Sequence, residues 1–231
     1  MQKQRVAIAG ATGYAGEELI RILLQHSSVQ ITCLAASAKW DSPVALSEVY
    51  PHLAGQLDLP VTALDPTVLA KSCDLAFLAL PHGVSMDVVP TLLKAGRRVV
   101  DLGGDFRLHE ASSFSRWYQK PHTHPELLSE AVYGVTELFR KQVQDARLVA
   151  NPGCFATSVI LALAPLLGRG WIRPNSIIVD AKSGRSGAGR SAVEKMLSDG
   201  KENSLWPYKV NHHQHMPEIE QALARIERSS S

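Results

Sequence analysis

RVAIAGATGYAGEELIRILLQHSSVQITCLA, residues 5–35, is the stretch whose reading decides the fold. Arg5 to Ala9 form an apolar run stopped by Gly10. From Tyr14 to His26 the apolar residues Leu19, Ile20, Leu23 and Leu24 recur at helical spacing, and Val29 to Ala35 is again strand-like. Strand, turn, helix and strand within about thirty residues make a parallel pair joined by a crossover helix, because parallel neighbours cannot be linked by a tight hairpin.

The alternation continues downstream. Cys73 to Leu80 is a third buried run, Val84 to Ala95 a helix ending near Gly96, and Arg98 to Leu102 a fourth strand. Residues 103–125 are rich in Gly, Ser and His without clean periodicity and read as loops with one short helical turn. Arg147 to Ala150 reads as a fifth strand, cut by Asn151, Pro152 and Gly153. Residues 1–150 are therefore expected to form an α/β domain, a Rossmann-like doubly wound parallel sheet. Beyond it come a helix from about Phe155 to Leu167, a β-rich run Ser176 to Ala181, a glycine-rich turn Ser183 to Arg190 and a helix from about Pro217 to Arg225. These predict a second, α+β substrate domain over 151–231. It has few strands to cover its last helix, so it is expected to be incomplete, the C-terminal part of a longer protein being absent.

Composition narrows the function classes. Lys+Arg 24 against Asp+Glu 22 leaves a net charge of +2 with no run of like charges, so nucleic acid is not an expected partner. The longest apolar stretch, Val159 to Leu167, contains Pro165 and is too short to span a bilayer, so no membrane association is expected. Lys3 and Arg5 precede an apolar run as in a secretory signal, but Gly10, Thr12 and Gly13 break it and Glu17 and Glu18 follow at once. Cys33, Cys73 and Cys154 form no CxxC pair and are odd in number, which suits a reducing compartment and gives a cytoplasmic expectation.

In GATGYAG, the glycines Gly10, Gly13 and Gly16 sit between a strand and a helix, where they let the backbone approach a pyrophosphate on the helix N-terminus. Gly10, Thr12, Gly13, Tyr14, Ala15 and Gly16 are thus candidate dinucleotide-binding residues; the alternative is a tight turn that binds nothing. An NAD site places a carboxylate at the end of the second strand, whereas this chain reads Ala35, Ala36, Ser37, Ala38, Lys39. A hydroxyl at Ser37 and an ammonium at Lys39 suit a 2′-phosphate, so NADP is expected. None of the five tyrosines has a lysine four residues later, which excludes the Tyr/Lys chemistry of short-chain dehydrogenases.

Cys154 follows Asn151-Pro152-Gly153 and opens a helix, so its sulfur would lie near unpaired N–H groups and the positive end of the helix dipole, a setting that favours thiolate. Cys33 and Cys73 lie in or beside apolar strands and read as core. NHHQHMPEIEQ supplies His212, His213 and His215 just before a helix, the proton donors and acceptors that an acyl-thiol mechanism needs. A zinc site from His213 and His215, or His122 and His124, with Cys154 is the rival reading, without the spacing of a known zinc motif. Arg107 in GGDFRL sits just past the fourth strand, where ligands of α/β sheets gather. The glycines of SGRSGAGR expose N–H groups between Arg185 and Arg190, a composition suited to phosphate or carboxylate.

Together, GATGYAGEEL, LPHG, GGDFRL, NPGCFAT, SGRSGAGR and HQHMPEI resemble one family, the N-acetyl-γ-glutamyl-phosphate reductases of arginine biosynthesis, over about Arg5 to Gln221 in the expected order. The resemblance implies NADPH as cofactor, Cys154 as nucleophile and His213 and His215 as acid and base. It also implies Arg107, Ser183, Gly184 and Arg190 on the substrate side, with Pro81 and His82 bordering the nicotinamide. The implied ligands are a small acyl phosphate and phosphate, and a homo-oligomer is expected. Two departures stand out: the family usually shows HRH where this chain has Gln214 in the middle, and His212 is additional. Three alternatives remain: a sister reductase acting on aspartyl or N-acyl-aminoadipyl phosphate, a catalytically inactive nucleotide-binding protein, and a zinc hydrolase.

Overall fold

The fold is described from a computed structural model covering residues 2–37, 39–199 and 204–230. The strands are β1 (Gln4–Ala9), β2 (Val29–Ala35), β3 (Val44–Ala45), β4 (Pro60–Thr62), β5 (Leu75–Leu78), β6 (Arg98–Asp101), β7 (Val132–Tyr133) and β8 (Leu148–Ala150). The α-helices are α1 (Tyr14–Leu24), α2 (Leu46–Val49), α3 (Pro66–Ser72), α4 (Ser85–Lys94), α5 (Ala111–Tyr118), α6 (Thr136–Asp145), α7 (Cys154–Leu167), α8 (Arg190–Ser198) and α9 (Met216–Ser230). The strands form one sheet in the order β3-β4-β2-β1-β5-β6-β8-β7, parallel throughout except for the β3–β4 pair at one edge. The chain leaves β1 toward β2 on one side and returns to β5 on the other. The carboxyl end of β1 is therefore the topological switch point, where a doubly wound sheet opens a crevice for ligand.

Both faces of the sheet are covered, which explains why its strands read as unbroken apolar runs rather than as alternating ones. Val6 to Ala9 are all fully buried. Ala7 and Ala9 join Ala76 and Leu78 under α3 and α4, against Leu69, Val89 and Leu92. Val6 and Ile8 face Ile20 and Leu23 of α1, with Leu46 and Val61 alongside. Each large aliphatic side chain buried this way contributes about 1.5–3 kcal/mol. A third cluster joins Ala156 and Ile160 of α7 to Ala222 of α9 and to Tyr133, Val135 and Phe139 at the far edge of the sheet, so the last helix is seated on the helix that begins at Cys154.

Two expectations are corrected. Among the described residues, the β-rich run Ser176 to Ala181 forms no strand: Pro174–Ser176 is a 3₁₀ turn, and Ile178 is 94% exposed. A strand is stabilised only by a partner, and no neighbouring strand lies beside this one. Residues 103–125 hold more order than one turn. The eight-residue helix α5 carries Phe114 and Tyr118 on one face, their rings stacked at 4.7 Å, a spacing hidden among the polar residues Ser112, Ser113, Ser115 and Arg116.

Candidate active site

The glycine turn has the shape that close approach of a ligand requires. Gly10 has φ +84, and a Cβ there would lie 2.1 Å from the carbonyl oxygen of Ala79; a Cβ on Gly16 would lie 2.2 Å from that of Gly10. No other residue fits either position. Gly13 is the N-cap of α1 without a side-chain cap, which leaves the first N–H groups of the helix to a ligand. The turn is braced from outside by Tyr50, whose hydroxyl donates to the carbonyls of Ala11 (3.1 Å) and Gly13 (3.4 Å). Thr12 and Tyr14 are half-buried and Ala15 exposed, all on this turn, and Ser37 and Lys39 lie exposed beyond the end of β2.

Arg190 is brought to the same turn. Its guanidinium stacks 4.8 Å from the centre of the Tyr14 ring and 5.4 Å from that of Tyr50, pairs with Glu17 at 2.8 Å and donates to the Tyr50 hydroxyl at 3.3 Å. The residue expected on the substrate side thus contacts the first turn of α1, with Gly189, at φ +88, turning the chain just before it. Ser183 and Gly184 stay exposed on the preceding loop, where the Ser183 hydroxyl donates to the Gly184 carbonyl at 3.1 Å.

Cys154 is an exposed free thiol on the first turn of α7, whose N-cap is Gly153. Gly153 is dictated by a neighbour: a Cβ on it would lie 2.3 Å from Nε2 of His215. The imidazole therefore lies directly on the backbone next to the thiol. The side chain of His215 is only 12% exposed, and its Nδ1 is buried without a hydrogen-bond partner. Burial, with Arg107, His213, His82 and Lys209 nearby, holds its pKa down at about 3, so the ring is neutral at neutral pH. His213 lies 4.5 Å away, ring centre to ring centre, and its Nδ1 accepts the backbone N–H of His215 at 3.1 Å, which leaves its other nitrogen to carry the proton when neutral. Burial and Lys209 lower its pKa as well. Phe155 and Tyr208 flank the pair, at 5.4 and 5.7 Å from the His213 ring.

Arg107 is nearly buried and held at three corners: Nε donates to the carbonyl of Asn151 (2.8 Å), Nη2 to that of Leu102 (2.8 Å), and Nη1 faces Oε1 of Glu218 (3.4 Å). His82 lies past β5, beside Pro81, with its Nδ1 accepting the Gly104 N–H at 3.1 Å and its ring against Tyr118. The structure therefore joins Cys154, His213, His215 and Arg107 through the residues between them. The lysine also bears on the missing HRH cation: Lys209 donates to Gln214 Oε1 and lowers the pKa values of His82, His213 and His215. Sequence reading missed Glu218, Tyr133, Tyr50 and Lys209; the only local signal for Glu218 was a first-turn position on the last helix. Among the described residues, no group of three His, Cys, Asp or Glu side chains is placed to hold a metal ion, so the zinc alternative gains no ligand set. No helix among them is long and apolar enough to cross a membrane.

Residues 5–146 match the sequence profile described as semialdehyde dehydrogenase, NAD binding domain, and residues 154–231 the one described as semialdehyde dehydrogenase, dimerisation domain. The chain is 48% identical over 220 residues to an N-acetyl-γ-glutamyl-phosphate reductase of Heliobacterium modesticaldum, covering 95% of this chain and 62% of that protein. It is 49% identical over 223 residues to a protein of the same name from Citrifermentans bemidjiense, covering 96% and 64%. The chain thus spans less than two thirds of the length of these relatives. In fold it is similar to aspartate semialdehyde dehydrogenase II of Vibrio cholerae (TM-score 0.61, 16% identity, 98% of this chain and 67% of that one). It is also similar to a probable aspartate-semialdehyde dehydrogenase of Pseudomonas aeruginosa (TM-score 0.58, 20% identity, 97% and 67%). A glycine turn at the switch point of a doubly wound sheet, a cysteine at the next domain's first helix and a profile match across most of the chain lead to one assignment: this chain belongs to the semialdehyde dehydrogenase family.

Proposed function

We propose that the chain performs the N-acetyl-γ-glutamyl-phosphate reductase reaction: NADPH-dependent reductive dephosphorylation of N-acetyl-γ-glutamyl phosphate to the semialdehyde, through a thioester on Cys154, in arginine biosynthesis. Residues 1–150 are its dinucleotide-binding domain and 151–231 its catalytic domain. The observation that carries the reading is the exposed Cys154 thiol at the start of α7 with the neutral His215 imidazole pressed on the adjoining Gly153. The names of the relatives at 48–49% identity support the substrate.

The cradle that a Cβ would fill at Gly10 and Gly16 fits a dinucleotide, held by Gly10, Thr12, Gly13, Tyr14, Ala15 and Gly16, with Pro81 and His82 toward the reacting ring. With no carboxylate after β2, Ser37 and Lys39 favour NADP over NAD. The thiol proton passes to the histidine pair, His213 and His215, and Cys154 sulfur attacks the acyl carbon. A C–S bond forms as the C–O bond to phosphate breaks, and phosphate leaves toward Arg107, Ser183 and Gly184. NADPH, when bound, supplies the hydride that brings the thioester carbon to the aldehyde level. The pair gives the thiol proton to the oxygen as the hydride arrives; on collapse the C–S bond breaks, the sulfur regains its electron pair, and the pair accepts that proton back. The dimerisation profile over 154–231 supports a homo-oligomer, and three free cysteines support a cytoplasmic setting.

The reverse reaction tests this. Purified protein given N-acetylglutamate semialdehyde is expected to reduce NADP only when phosphate is present, and Cys154→Ser is expected to abolish the rate. Full activity in Cys154→Ser would remove the nucleophile assignment.

A further inference from the structure

The most deeply buried charge near the thiol belongs to a residue with no role so far. Glu218 is fully buried on the first turn of α9. Its Oε2 accepts the Tyr133 hydroxyl at 2.8 Å and the Gly153 N–H at 3.1 Å, and its Oε1 faces Arg107 Nη1 at 3.4 Å and His215 Nε2 at 3.7 Å. These partners come from β7, from the turn that presents Cys154, from the loop after β6 and from the turn just before α9. The carboxylate meets donors from three of them, and no apolar contact could fix the same four segments in one register. A buried carboxylate is tolerated only when donors surround it. Here three do, and removing any one would leave the others facing an unsatisfied charge.

We infer that Glu218 is the positioning residue of the thiol site: its carboxylate sets the place of Cys154 by holding the Gly153 N–H, and it balances Arg107 so that the guanidinium field is not turned wholly on His215. The inference rests on the reductase reading only for its turnover readout; the effect on the thiol stands without it. Burial raises the pKa of Glu218 above its ordinary value, against the opposing pull of Arg107, Gly153 and Tyr133. Arg107 and His215 face the carboxylate at 3.4 and 3.7 Å, and His82, His213 and Lys209 stand behind them, acting on His215. Glu218 is the acid set against them.

The experiment uses Glu218→Gln and Glu218→Asp in the full chain. Glutamine keeps the length and removes the charge; aspartate keeps the charge and is one methylene too short to hold Gly153 and Arg107 together. The rate of iodoacetamide labelling, with the site read by mass spectrometry, gives the pH midpoint for Cys154, and turnover is measured by the phosphate-dependent assay. In Glu218→Gln the midpoint is expected to fall by about half a unit or more, because a negative charge held on the Gly153 N–H, next to the sulfur anion in the chain, is removed. In Glu218→Asp the midpoint is expected to stay near that of the parent. Both are expected to lose kcat by about tenfold or more with KM little changed, as for a misplaced reacting group.

Equal midpoints in parent and Glu218→Gln would overturn the inference, even if the variant melts earlier, since a purely structural role lowers stability without a charge-dependent shift. Should Glu218→Gln fail to fold, Glu218→Asp decides: kcat lost at unchanged KM supports the inference, and unchanged kcat overturns it. A parent protein that shows no turnover, with the midpoint shift present, would support Glu218 as the positioning residue while refuting the reductase reading.

Discussion

Replacing Asp101 by asparagine is expected to flatten the pH dependence of stability. Asp101 ends β6, fully buried; Oδ1 accepts the Ser85 hydroxyl at 2.7 Å and the Gly103 N–H at 2.9 Å, but Oδ2 is buried with no partner. Burial, with Asp105 close by, raises its pKa from 3.8 to about 7. A carboxyl whose pKa is raised on folding stabilises the protein fully below its unfolded value, and that stability is lost as pH climbs to the folded value. The window runs from near 4 to near 7. The shift of some three units, at 1.36 kcal/mol each, corresponds to about 4 kcal/mol lost across it. Asparagine has the shape of the protonated acid and does not titrate. Urea unfolding at about pH 5 and about pH 8.5 measures the difference. Parent and Asp101→Asn are expected to match within about 1 kcal/mol at the lower pH, with the variant ahead by a few at the higher. Parallel behaviour at both values would refute the argument that the charge on Asp101 is what burial opposes.

Gly16→Ala places a methyl 2.2 Å from the Gly10 carbonyl, backbone that cannot yield cheaply, so a loss of about 1–3 kcal/mol in thermal unfolding together with weakened NADP binding by fluorescence titration is expected. Unchanged NADP affinity would remove the turn from the dinucleotide site. Gly153→Ala must move His215, whose Nε2 lies 2.3 Å from the new methyl. Displacement by about an ångström costs on the order of a hundredfold in rate, so turnover falls sharply while NADP binding, seated on the glycine turn, stays; equal rates would show that His215 has no part in the chemistry.

What could be read in advance follows the range of the interactions. The glycine turn was legible because strand, turn and helix lie within Arg5 to Ala35 and their chemistry is local. The helix at Cys154 was legible for the same reason, from Asn151-Pro152-Gly153. Glu218 was not, because its partners Gly153, Tyr133 and Arg107 stand 65, 85 and 111 positions away, and it enters the sequence reading only as a member of HQHMPEI with no role attached. Arg190, which the resemblance puts on the substrate side, is brought over Tyr14 only by the folded chain, across 173 residues from its partner Glu17. The run Ser176 to Ala181 shows the opposite failure: its residues suit a strand, yet strand formation is a property of a pair.

The sheet also bears on how the protein behaves in concentrated solution. Its outermost strands, β3 and β7, are two residues each, and β3 runs antiparallel to its neighbour, with Pro60 in that neighbour withholding one donor. An incoming extended chain would find too few free amide groups at either margin to zip along. Stacking of copies through their sheet borders, the usual seed of fibrils, is thereby discouraged by geometry, without any charged residue being needed at the border.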